Sequence, residues 1–259
     1  MSKINLKEIC YDLIDTFLLA GKKSLELRRD GLITEYKEDN TPVSNGDLEV
    51  DKILNKKISN ITPSLPIISE ESSQNRFKED LKDFWLIDPI DGTYDYINDK
   101  DEFTLNAALI VDRKPQLGLI YAPAKDRMFY SFDFGKSYEL INGKEILLDC
   151  SKKTNQGQVK AVHYSDKLKP IIQELHIKYK VTEYKRMKSS LKFCVIAASE
   201  YDIYISEPRA SEWDIAAGHA ILENAGGVLT DFEGNKILYG KENFKNPSLI
   251  IKRKNNLNE

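Results

Sequence analysis

The sequence predicts an α/β (α+β) fold, with an antiparallel-rich sheet in the N-terminal half and a mixed α/β C-terminal half. Short β-type runs divided by turn residues follow one another across roughly residues 66–132, and beyond Val159 strand-like and helix-like segments alternate. Ahead of both lies an amphipathic segment with helical spacing.

In that opening segment Leu6, Ile9, Cys10, Leu13, Ile14, Phe17 and Leu18 recur at the helical period, with Lys, Asp and Glu between them. Thr41-Pro42-Val43-Ser44-Asn45-Gly46-Asp47 is rich in turn and cap residues and precedes the apolar positions Leu48, Ile53, Leu54 and Ile58. Asp47 is therefore expected near a helix start, with its carboxylate poorly placed for the core. Strands are expected at 66–69, 84–87, 104–111, 117–122 and 127–132, joined as an antiparallel meander with a hairpin at Asp112-Arg113-Lys114-Pro115. The second half predicts a strand at 159–163, a helix after Ser165, a helix at 191–199 and a strand at 201–205. A helix at 213–223 and strands at 227–230 and 248–251 complete it. A boundary near residue 150 divides an N-terminal half, 1–150, from a C-terminal half, 151–259, and the Lys/Asn-rich end after Ile251 is expected to fray.

Whole-chain properties narrow the function classes. A chain of 259 residues buries a substantial core, and its 38 basic against 41 acidic residues leave a net charge of −3. Neither nucleic acid polymers nor anionic membranes are expected partners on that balance. Cys10, Cys150 and Cys194 are too few and too scattered for a disulfide framework or a zinc pattern, which points to a reducing cytoplasm. No signal peptide or membrane-spanning stretch is evident, so a soluble protein is expected, with peripheral association with the inner membrane left open.

The informative residues are acids at the ends of elements. Phe84-Trp85-Leu86-Ile87 runs into Asp88-Pro89-Ile90-Asp91-Gly92-Thr93, where Pro89 fixes a torsion and Gly92 permits a tight path. Two carboxylates three residues apart can then be aimed at one point, and hard divalent cations such as Mg²⁺ take such oxygen ligands. Leu65-Pro66-Ile67-Ile68 ends in Ser69-Glu70-Glu71, and Glu212-Trp213-Asp214 opens the helix Ile215-Ala216-Ala217-Gly218-His219-Ala220-Ile221-Leu222.

In that order the three segments resemble the signature of the inositol monophosphatase superfamily of lithium-sensitive phosphatases, whose layered αβαβα sugar-phosphatase-type fold is then implied. Gly118-Leu119-Ile120-Tyr121-Ala122-Pro123, Ser189-Ser190-Leu191-Lys192-Phe193-Cys194 and Asn246-Pro247 are similar to its bacterial 3'(2'),5'-bisphosphate nucleotidase branch. The resemblance runs from about residue 39 to Ile251. It implies that Glu70, Asp88 and the carbonyl of Ile90 bind one Mg²⁺, that Asp88, Asp91 and Asp214 bind a second, and that two or three ions serve each site, with Li⁺ and Ca²⁺ inhibiting. It assigns water activation to Thr93 with Asp47, places Glu70 among the catalytic groups, and gives Gly92 and Thr93 N–H groups for the departing phosphate.

The implied substrate is a small phosphorylated molecule, adenosine 3',5'-bisphosphate above all and its sulfated precursor besides, on a monomer or homodimer. Asp91, Gly92, Thr93 and Asp214 would meet the scissile phosphate; Ser189, Ser190, Lys192 and Arg209 would hold the second one. The branch often carries Pro-Arg directly after the strand preceding the Trp-Asp helix. Here the order is Tyr204-Ile205-Ser206-Glu207-Pro208-Arg209, which leaves two alternatives: Arg209 stands in from a shifted position, or the second phosphate lacks a bidentate partner and the preference for the bisphosphate is lost. Two other readings remain open: an inositol or sugar phosphate phosphatase using the same metals, and a non-catalytic phosphate- or Ca²⁺-binding module. His219 is expected to pack on its helix. Tyr94, Tyr96 and Phe103 are expected in the core or on a pocket wall, and His163 and His176 carry no signal.

Overall fold

The computed structural model describes residues 5–38, 40–72, 81–151 and 157–254. The described elements run α1 (Leu6–Asp30), β1 (Thr34–Tyr36), β2 (Pro42–Ser44), α2 (Asn45–Ile61), β3 (Ile67–Ser69), β4 (Phe84–Asp91), α3 (Thr93–Ile97), β5 (Thr104–Val111), β6 (Lys114–Ala122), β7 (Arg127–Asp133), β8 (Lys136–Ile141) and β9 (Lys144–Leu147). They continue through β10 (Val159–His163), α4 (Pro170–Lys178), β11 (Val181–Arg186), α5 (Leu191–Ala197), β12 (Ile203–Ser206), α6 (Glu212–Asn224), β13 (Gly227–Thr230) and β14 (Leu249–Arg253).

Strands β3 to β9 form a seven-stranded sheet in sequence order, and a five-stranded sheet has the order β11-β10-β12-β14-β13. Side-chain alternation explains how these sheets stack. On β4, Trp85 and Ile87 join α1 and α2 in one apolar cluster with Leu13, Phe17, Val50 and Leu54. Phe84 and Leu86 point the other way, into a cluster with α5, α6 and the inner face of the second sheet through Tyr204 and Ile251. The outer face of that sheet, Ala161, Ile203 and Ile205, packs on Ile172 of α4. The layers are thus helices, sheet, helices, sheet, helix, the αβαβα arrangement that the family resemblance implies.

Several expectations are corrected. The meander begins one strand later than expected, because β3 pairs with β4 in parallel and antiparallel pairing starts at β4·β5. Strand β4 does not stop at Ile87; it continues to Asp91 with a register slip between Asp88 and Asp91, so the acids stand on an irregular strand end, not on a turn. Helix α1 extends to Asp30, twelve residues past Leu18. The chain after Ile251 does not fray at once: β14 reaches Arg253, which is 1% exposed and donates to Asp202 at 3.2 Å. Residues 255–259 lie outside the described residues.

Candidate metal and phosphate site

Two capped helices deliver acids to one place. In α2, Ser44 caps the helix and Asp47 at its third position closes the capping box: Asp47 Oδ2 accepts from Ser44 N at 2.8 Å and from Ser44 Oγ at 2.6 Å. In α6, Ser211 and Asp214 repeat the device, with Asp214 Oδ2 accepting from Ser211 N at 2.8 Å. In each case one carboxylate oxygen is fixed by the backbone and the carboxylate as a whole is held in one orientation. The expectation that a helix-start Asp47 would sit away from the core fails: it is 1% exposed, because α3 folds over it and Thr93 Oγ1 donates to Asp47 Oδ1 at 2.8 Å.

Strand ends supply the other acids. Ligand oxygens of Glu70, just past β3, Asp88 in β4 and Asp214 in α6 all lie within 4.8 Å of one another. Asp88 is 1% exposed, and its Oδ1 has no hydrogen-bond partner among the described residues. A buried carboxylate oxygen left bare is costly. Burial first, then the charges of Glu70, Asp91, Asp214 and Asp47, push the Asp88 carboxyl well above the usual range. Burial, followed by Asp91 and Glu70, raises Asp214 to about 8. A divalent cation would relieve both penalties at once, and the all-oxygen donor set suits Mg²⁺ or Ca²⁺ over softer metals. The residues present therefore fit such an ion.

Asp91 stands outside that trio. Burial raises its pKa against the pull of the Lys192 charge. Ile90 is buried, and its carbonyl lies 3.0 Å from Thr93 Oγ1 as an alternative acceptor for that hydroxyl. Gly92 caps α3 with φ 100°, and a Cβ there would meet Glu102 O at 2.7 Å, so both conformation and space call for glycine.

These groups open into a cleft of about 400 Å³ that is also lined by Ser189, Ser190, Lys192 and Arg209. Ser190 Oγ lies 2.7 Å from Asn106 Oδ1 and 2.8 Å from Thr104 Oγ1, which anchors the start of α5 to β5. Lys192 is buried, donates to the carbonyl of Ser189 and lies 5.2 Å from the Tyr204 ring centre. Desolvation lowers its pKa to about 8 against the pull of Asp91. Arg209 lays its guanidinium 4.0 Å from the Tyr164 ring centre. His219 is buried on α6, with Nδ1 2.9 Å from the Tyr239 hydroxyl. Tyr96 and Phe103 are core residues, whereas Tyr94 is 60% exposed at the rim of the cleft.

Lys37 escaped the sequence reading. Its ammonium lies 3.2 Å from Glu70 and 2.9 Å from Glu71, which places a fixed positive charge beside the acidic trio. Burial raises Glu71 to about 7 despite that partner. Tyr164, on which Arg209 stacks, was missed as well; the contact spans 45 positions of sequence and leaves no local signal.

Comparison with known proteins agrees with this geometry. The model of the inositol monophosphatase family matches residues 7–258. A protein of Buchnera aphidicola named 3'(2'),5'-bisphosphate nucleotidase CysQ is 37% identical over 212 residues, covering 79% of this chain and 76% of its own. The crystal structure of CysQ from Bacteroides thetaiotaomicron superimposes with a TM-score of 0.75 at 26% identity, covering 96% of this chain and 98% of that one. A structure titled as an IMPase/NADP phosphatase complexed with Mg²⁺ and phosphate shares the fold, with a TM-score of 0.79 at 20% identity, over 97% and 92% of the two chains. With a match across almost its whole length, on a fold that brings the signature acids together, the chain belongs to the inositol monophosphatase family.

Proposed function

We propose that the chain is a Mg²⁺-dependent 3'(2'),5'-bisphosphate nucleotidase, converting adenosine 3',5'-bisphosphate and water into AMP and inorganic phosphate and acting on the 5'-phosphosulfate analogue at the same bond. The observation that carries this reading is the trio Glu70, Asp88 and Asp214 within 4.8 Å, in a cleft also lined by Lys192 and Arg209. The relatives named CysQ support the substrate class, and the Mg²⁺ and phosphate in the IMPase/NADP phosphatase structure support the metal.

In this reading Glu70, Asp88, the Ile90 carbonyl, Asp91 and Asp214 hold two or three Mg²⁺ ions. Bound there, the metal supplies Lewis-acid stabilisation of phosphoryl oxygens and of the leaving alkoxide, and makes water acidic. The chain's own groups orient the nucleophile. The Thr93 hydroxyl spends its proton on Asp47, which leaves its lone pairs to accept a proton of the attacking water and turn the water oxygen toward phosphorus. In the same reading Glu70, a part-exposed residue lining the cleft, takes up the proton the water loses. Backbone N–H groups of Gly92 and Thr93 receive the released phosphate. Ser189, Ser190, Lys192 and Arg209 hold the phosphate that is not cleaved, and Arg209 alone among them offers the fork geometry that matches a phosphate edge.

The test is phosphate release from adenosine 3',5'-bisphosphate, inositol 1-phosphate and a sugar phosphate, with Mg²⁺ and then with added Li⁺ or Ca²⁺. Fastest release from the nucleotide, stopped by Li⁺ and Ca²⁺, is expected. Faster release from inositol phosphate transfers the site to that substrate, and absence of release from all three leaves a binding module.

A further inference from the structure

Arg209 is held in place before any ligand arrives. Its guanidinium stacks 4.0 Å from the centre of the Tyr164 ring. The Tyr164 ring is in turn fixed at both ends. Its hydroxyl donates to Glu207 Oε1, the oxygen that also takes the Lys169 ammonium at 2.7 Å. Its body is in contact with the buried His163 ring, 4.4 Å between centres at 32°. Burial holds His163 toward its neutral form, so the imidazole beneath Tyr164 does not repel the nearby guanidinium. Although desolvation works the other way, Lys169 and Tyr164 keep the Glu207 carboxyl down at about 2, which leaves it an anionic anchor across the working range.

Nothing in the site's metal chemistry needs this arrangement. Tyr164 and Arg209 line the cleft, and Arg209 follows Glu207 by two residues, so the anchor and the guanidinium share one short segment after β12. An unstacked arginine loses rotamer freedom when it clamps a phosphate. Arg209, stacked on Tyr164, has given up part of that freedom already.

We propose that Tyr164, locked by Glu207 and Lys169, is a positioning residue that presents the Arg209 guanidinium to the second phosphate, and so sets the preference for a bisphosphate over a monophosphate. The inference rests on the nucleotidase reading above. A tenfold effect on binding corresponds to about 1.4 kcal/mol, which lies within the range of cation–π contacts.

The discriminating measurement is kcat/KM for adenosine 3',5'-bisphosphate divided by kcat/KM for adenosine 3'-monophosphate, in the full chain with Mg²⁺. Tyr164→Leu is expected to cut that ratio about tenfold, through KM of the bisphosphate. Tyr164→Phe, which keeps the ring and loses the anchor bond, is expected to cut it by a smaller factor. In an Arg209→Ala background Tyr164→Leu is expected to change the ratio no further, since the group it positions is gone. A purely structural tyrosine would lower both substrates alike and leave the ratio where it was; that result, in a variant whose circular dichroism matches the parent, overturns the proposal. A parent protein with no preference for the bisphosphate overturns the nucleotidase reading first and this one with it, whereas a parent preference that survives Tyr164→Leu overturns only the role of Tyr164.

Discussion

Thr93 Oγ1 donates to Asp47 Oδ1 over 2.8 Å, tying the start of α3 to the first turn of α2 across 46 positions of sequence. The bond decides which way the hydroxyl proton points and therefore which side of Thr93 can accept one. Asp47 cannot rotate to break it, because Ser44 holds its other oxygen twice.

Thr93→Ala removes the acceptor and is expected to lower kcat by about a hundredfold to ten-thousandfold, the usual size of a lost proton-handling group. Thr93→Ser keeps the hydroxyl and should recover most of the rate. Phosphate release under saturating Mg²⁺ measures both. A folded Thr93→Ala variant within threefold of the parent would contradict the assignment.

The acidic cluster makes the metal-free protein sensitive to pH in a direction that can be worked out. Asp88, Asp91 and Asp214 all have carboxyls raised above the usual range, with Asp214 at about 8. For an acid whose pKa is higher folded than unfolded, the folded state binds more protons, so stability is greatest below the unfolded value near 4 and is lost as pH rises through the folded value. In chelator, the melting temperature is expected to fall from about pH 4 to pH 8 once background titration is subtracted. Added Mg²⁺ should therefore raise Tm more at pH 8 than at pH 5. Equal gains at the two pH values would mean that the carboxylates do not share an ion.

Asp88→Asn separates stability from activity at the same cluster. Asp88 Oδ1 is buried without a partner, and the neutral amide removes one charge from a group of like charges. The variant is expected to be inactive yet to melt about 2–4 °C higher than the parent in chelator at pH 8, the shift that about 1 kcal/mol produces in a chain of this size. Calorimetry in chelator decides the point; a lower Tm would show that the carboxylate has a structural partner.

How far the sequence could be read follows from where each signal is stored. Strands β5 to β7 are legible because they are buried along most of their length and read as largely apolar runs between turn residues. Strands β8, β9 and β11 are not: the four residues of β9 are all exposed and β11 is exposed at five of its six positions, so their pairing rests on neighbours already in place and leaves no hydrophobic pattern. Pro89 hides the end of β4 for a related reason. A proline reads as a strand breaker, but here it falls inside the register slip, where no ladder bond is required of it. The acids were legible as a motif because Asp88 and Asp91 are close in sequence, and α6 announces Asp214 through its cap. Lys37 was not, since its contact with Glu70 spans 33 positions and a lysine in a loop looks the same whether it is solvated or paired. The burial of Asp47 was illegible too, for it is created by α3 closing over it, not by α2 itself.

Gly118 connects the packing of the two halves to the metal site. It lies on β6 against α6, and a Cβ built there would meet Ala217 O at 2.3 Å and the rest of that backbone at 3.0 Å. Because the obstructing atoms belong to a helix backbone, no side chain can swing aside to make room; the helix or the strand must move. Asp214 is three residues before Ala217 on the same helix, so displacement of α6 also displaces a member of the acidic trio. Gly118→Ala is expected to cost about 1–3 kcal/mol of stability, by overpacking, and to weaken Mg²⁺ activation at the same time. Denaturant unfolding gives the first quantity and the Mg²⁺ concentration for half-maximal phosphate release gives the second. A variant that loses stability while its Mg²⁺ requirement stays at the parent value would show that α6 tilts about its N-terminal cap and holds Asp214 still, which would uncouple the strand contact from the site.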